Sequence, residues 1–86
     1  MAQYVYSEKA QAVLSFMQAN NGTDLMANDI AKATGIETKS ITGVLNGLQS
    51  KELIRREEKE GYPKKVVVLT EKGMNVDPHE EKPEEE

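Results

Sequence analysis

The sequence predicts a small α+β domain of three helices and a two- to three-stranded β-hairpin, on three observations. Apolar residues recur at helical spacing through the first fifty positions. After Lys51 the period changes to two short strand-like runs around a glycine turn. The chain has 86 residues, 37% apolar and 30% charged, which suffices for one core and not for two.

The first helix is expected over 7–20. Ala10, Val13, Leu14 and Met17 fall at i, i+3, i+4 and i+7, one stripe of a helix. Ser7 is a suitable N-cap, Glu8 suits the positive end of the dipole, and Asn20-Asn21-Gly22 ends the run. Residues 23–26 form a short link or strand. The second helix, 27–34, puts Ile30, Ala31 and Thr34 on one side and stops at Gly35. Met26 stands at its cap position, so Asp24 or Asn28 is expected to supply the capping group. A third helix, 38–50, carries the stripe Ile41, Val44, Leu45, Leu48. Only Gly35, Ile36 and Glu37 separate the second and third helices, the tight junction that a helix-turn-helix requires. Strands are expected over 53–58 and 63–69, joined through Gly61, followed by Thr70 as a cap for one more helical turn.

Charge divides the chain. Residues 1–76 hold ten Lys/Arg against nine Asp/Glu, a balance of +1, and residues 77–86 hold one Lys against six, a balance of −5. The expected organisation is a folded domain over 1–76 and a disordered acidic tail over 77–86, since the tail has no large apolar residue to offset chain entropy. Its His79 lacks the company a metal site needs. With no cysteine there is no disulfide, thiolate zinc site or cysteine nucleophile. The only histidine lies in the tail and no phosphate-binding glycine loop is present, so no enzyme and no cofactor are expected. The longest apolar run, Val66–Leu69, is too short to span a membrane, and the N-terminus lacks the pattern of a secretory signal. A soluble cytoplasmic protein is expected.

Asp29-Ile30-Ala31-Lys32, Gly35-Ile36, the run Ile41 to Leu48, Leu53-Ile54-Arg55-Arg56 and Leu69-Thr70-Glu71-Lys72-Gly73 occur in the order of the elements above. This ordered set, over about residues 24–73, resembles the MarR-like winged helix-turn-helix DNA-binding domains. The resemblance implies a third helix in the major groove and a hairpin wing on the backbone or minor groove. It also implies sequence-specific binding of double-stranded DNA by a small transcriptional regulator of a bacterial or phage setting. Carried over residue by residue, the outward side of the third helix offers Thr38, Lys39, Ser40, Thr42, Gly43 and Asn46. Lys39 suits phosphate or guanine and Asn46 an adenine edge; a merely solvated face would need polar residues too.

The wing adds Arg55, Arg56, Lys59, Tyr62, Lys64 and Lys65; its five cations lie within eleven residues among Glu57, Glu58 and Glu60. On a ribbon, alternate residues point to opposite faces, so cations and anions either segregate or pair. The wing tip, Gly61-Tyr62-Pro63-Lys64-Lys65, stands where the family has an Asp and Arg motif. Of the two glycines inside the third helix, Gly43 is expected to let the backbone approach DNA closely and Gly47 to pack against another element.

Full-length members of the family add long terminal helices that form the dimer and a ligand pocket; here about six residues precede the first helix, and no small-molecule ligand is expected. Tyr4, Val5 and Tyr6 either pack under the first helix or pair with a second copy. The alternative function is a protein-interaction winged helix, an accessory factor without strong DNA binding, to which the near-neutral body and acidic tail would suit.

Overall fold

The computed structural model describes residues 3–81. Among the described residues four helices, α1 (Glu8–Ala19), α2 (Ala27–Thr34), α3 (Thr38–Ser50) and α4 (Glu71–Asn75), accompany three strands, β1 (Leu25–Met26), β2 (Ile54–Glu57) and β3 (Val66–Leu69). The strands form one antiparallel sheet in the order β1-β3-β2. The α+β fold read from the sequence is borne out, and the helical turn expected after Thr70 is α4, capped by Thr70.

Each helix starts and stops for a local reason. Ser7 Oγ accepts the Ala10 N–H at 3.2 Å at the head of α1. At the head of α2 neither Asp24 nor Asn28 serves as the cap. Instead the Asp29 carboxylate reaches back to accept the Met26 N–H at 3.0 Å, half of a capping box. Gly35 ends α2 in the left-handed conformation (φ 75°), its N–H bonded to the Ala31 carbonyl at 2.9 Å. After Ile36 and Glu37, α3 begins.

The apolar stripes converge. Val13 and Leu14 of α1, Ile30 of α2, Ile41, Leu45 and Leu48 of α3, and Leu53 and Ile54 are all buried in one cluster, with Val67 from β3. Burying each such side chain contributes about 1.5–3 kcal/mol. Val44 is only partly buried, at the edge of its stripe. Tyr6 lies in the core and Val5 packs against it, while Tyr4 is exposed. Burial pushes the Tyr6 phenol above its usual pKa, with Glu80 adding to the effect. The Lys51 ammonium lies over the Tyr6 ring, 4.9 Å from its centre.

The hairpin strands are shorter than their apolar composition suggests. Arg55 pairs with Val68 and Glu57 with Val66, and the ladder stops there. Pro63 has no N–H to give, so the predicted second strand begins three residues later. The Tyr62 N–H bonds to the Lys59 carbonyl at 3.2 Å, with Gly61 at φ 92° in the third position of that turn.

Residues 77–81 depart from the expected disorder. The Val5 N–H donates to the Glu80 carbonyl at 2.9 Å, Tyr4 pairs with Glu81, and Pro78 is buried. Asp77 turns the chain, its carboxylate accepting the His79 N–H at 2.9 Å and its carbonyl the Glu80 N–H at 3.0 Å. Backbone pairing and a proline ring supply the order that side-chain composition alone does not suggest. The rest of the expected tail, 82–86, lies outside the described residues.

Candidate nucleic-acid interface

The outer surface of α3 follows from its inner one. With Ile41, Leu45 and Leu48 buried, the opposite side presents Lys39, Thr42, Gly43 and Asn46, again at i, i+3, i+4 and i+7 and all exposed. Thr38 is exposed at the first turn, whereas Ser40 is partly buried.

Both internal glycines lie on the open side. A Cβ built on Gly43 or on Gly47 meets nothing within 4 Å, so Gly47 does not pack as expected. Gly47 lies on the exposed side of α3, away from the core stripe, where no other element reaches it. Neither residue has a positive φ, so alanine is sterically and conformationally acceptable at both. Gly43→Ala and Gly47→Ala should each stabilise the fold by about 1 kcal/mol in denaturant unfolding. Unchanged or lower stability would show that these positions are not open.

The wing cations are mostly engaged. Along β2, Ile54 faces inward, so Arg56 follows it towards the helices and Arg55 and Glu57 take the other face. Arg55 and Glu57 form an ion pair at 3.5 Å. Arg56 Nη1 donates to Asn46 Oδ1 at 2.7 Å, and Nη2 lies 3.4 Å from the Thr42 carbonyl. On the ribbon itself, Arg55 and Glu57 are the one cation and anion that pair among the described residues. Lys39 makes a loose pair with Glu37 at 3.9 Å, both largely exposed. Lys64 and Lys65 are exposed and make no ion pair among the described residues.

A second tether, between residues 35 apart in sequence, holds the wing tip. Lys59 Nζ lies 2.6 Å from Asp24 Oδ2, and the Tyr62 hydroxyl donates to the same oxygen at 3.3 Å. The hydrogen bond from Lys59 holds the Asp24 carboxyl below the usual carboxylate range, and Asp24 in turn raises Lys59 above the usual lysine range. The depressed acid contributes above its unfolded pKa and loses that contribution as pH falls through the folded one. The raised base contributes below its unfolded pKa and loses it as pH rises through the folded one. The tether should therefore persist from about pH 4 to pH 10. Asp24→Asn at neutral pH should speed amide exchange at residues 59–62 and leave the core unchanged; unaltered exchange would show that the tether does not hold the wing.

Other chemistries find no support here. Among the described residues no group of three or more His, Asp or Glu lies close enough to hold a metal ion, and no helix is long and apolar enough to cross a membrane.

No family model matches this chain, and no curated protein matches it by sequence. Solved structures do. MepR, a transcription regulator of the Staphylococcus aureus multidrug efflux pump MepA, superimposes with a TM-score of 0.79 at 26% identity, over 85% of this chain and 53% of that one. A structure of S. aureus MepR in complex with DNA matches with a TM-score of 0.76 at 26% identity, over 83% of this chain and 58% of that one. MepR bound to ethidium bromide matches with a TM-score of 0.76 at 26% identity, over 87% and 54%. The chain thus spans little more than half the length of these structures. With the tight α2–α3 junction, the exposed α3 surface and the hairpin in place, the chain is a winged helix-turn-helix domain, MarR-like in the order of its elements.

Proposed function

We propose that this chain binds double-stranded DNA as a transcriptional regulator, with α3 in the major groove and residues 55–65 along the backbone. The observation that carries the reading is the outward stripe of α3, polar and exposed, in a fold that matches MepR in a complex with DNA. Thr38, Lys39, Thr42, Gly43 and Asn46 would meet base edges and nearby phosphates, and Lys64 and Lys65 would meet phosphate. Ser40 contributes less, being partly buried. Lys59 and Tyr62 act mainly by holding the wing tip, and Arg55 is compensated by Glu57.

The reading makes the protein a cytoplasmic regulator of a bacterial or phage setting, without catalysis. Two copies side by side would read half-sites about 34 Å apart, one turn of the duplex. Titration of labelled protein with a generic duplex tests the reading. Amide shifts confined to 38–46 and 59–65, fading as salt rises, are expected. No shifts even at low salt would remove the DNA reading in favour of a protein partner.

A further inference from the structure

Asn46 is not free to use both ends of its amide. Arginine carries only N–H donors, so the Asn46 atom 2.7 Å from Arg56 Nη1 has to be the oxygen. The guanidinium also reaches the Thr42 carbonyl one turn earlier, so it lies along the rung of α3 that carries both residues. The Asn46 amide nitrogen makes no hydrogen bond among the described residues. Asn46, Gln49, Ser50 and Arg56 together line a shallow open hollow on this surface.

We infer that Arg56, acting from the wing, makes Asn46 a hydrogen-bond donor to DNA and so sets a preference for guanine or thymine over adenine at the base pair it meets. The inference rests on the proposed DNA binding. Reading adenine takes both halves of an asparagine amide, the oxygen accepting from N6 and the nitrogen donating to N7. Here the oxygen is held by Arg56. Its second lone pair remains, but an adenine amino group arriving there brings its own positive N–H beside the guanidinium. Guanine O6 and N7 and thymine O4 only accept, and each matches the outward amide nitrogen. The assignment of Asn46 to adenine, natural for an isolated asparagine, is thereby reversed by a residue ten positions away.

Selection from a random duplex pool with three proteins tests this. Asn46→Ala should flatten the preference at one position of the selected site and so locate it. At that position the wild-type protein should select guanine or thymine. Arg56→Met, which keeps the stem and removes the donors, should move the preference there towards adenine, by roughly tenfold in relative affinity. Adenine selected by the wild-type protein, or an unchanged preference in Arg56→Met, would overturn the inference. Asn46→Ala flattening no position would overturn it as well. No enrichment of any duplex by the wild-type protein would instead remove the DNA reading itself. The free protein supplies a reading without DNA: the Asn46 side-chain amide resonances should shift in Arg56→Met, and if they stay in place the bond does not exist in solution.

Discussion

Gly73→Ala should lower the thermal midpoint by about 12–24 °C, corresponding to about 3 kcal/mol in a domain of this size. A Cβ at Gly73 would run into the Leu53 carbonyl oxygen and sit 2.8 Å from Leu69 Cδ1. The leucine methyl can rotate away. The carbonyl cannot, because it already accepts from both the Thr70 N–H and the Thr70 hydroxyl at 3.0 Å. Moving α4 instead would disturb its own cap, where Thr70 Oγ1 accepts the Gly73 N–H at 3.0 Å. It would also disturb Gln18, whose amide donates to the Gly73 and Val76 carbonyls at 2.9 and 2.8 Å. Every route of relief breaks a hydrogen bond between α4 and the body. A midpoint within a few degrees of the unsubstituted protein, by circular dichroism, would mean that α4 is not seated this tightly.

Gly73 and the α3 glycines show what a sequence reveals about glycine and what it hides. All lie in helices without a positive φ, and propensity alone costs each about the same. Only the surroundings separate them: Gly73 is crowded by the backbone of another element, and Gly43 and Gly47 face open space. The same distinction runs through the rest of the chain. The α1, α2 and α3 stripes and the Gly35 stop were legible because helix periodicity and capping are local. The capping group of α2 was misplaced by a few residues, because Met26 left several nearby carboxylates and amides eligible. Lys59 on Asp24 and Arg56 on Asn46 join positions that no local pattern connects. One signal for Arg56 was present: once Ile54 is assigned inward, strand alternation sends Arg56 to the same side and Arg55 to the other. The order of residues 77–81 had no such signal, since it rests on backbone bonds to Tyr4 and Val5 at the other end of the chain.

Replacing Lys64 and Lys65 together should reduce DNA affinity more than replacing the ion-paired Arg55 and Lys59 together. Counting cations overstates what the wing can offer. Arg55 and Lys59 are each paired with a carboxylate within the chain at 3.5 Å or less, whereas Arg56, bonded to the neutral Asn46 amide, keeps its charge but is held against α3. Exposed ion pairs are worth little, about 0–1 kcal/mol, yet their field at a phosphate is that of a dipole rather than a charge. Lys64 and Lys65 have no such compensation among the described residues. Each phosphate neutralised contributes about −0.9 to the slope of log affinity against log salt, so Lys64→Ala with Lys65→Ala should flatten the slope by about 1.8. The loss should be similar for every duplex sequence, because phosphate contacts carry no base information. Lys64→Glu with Lys65→Glu should weaken binding further at low salt and converge with the alanine pair as salt rises. Fluorescence anisotropy across a salt series reads both quantities. An unchanged slope in the double alanine variant would place the wing away from the phosphates, leaving α3 to carry the interface alone.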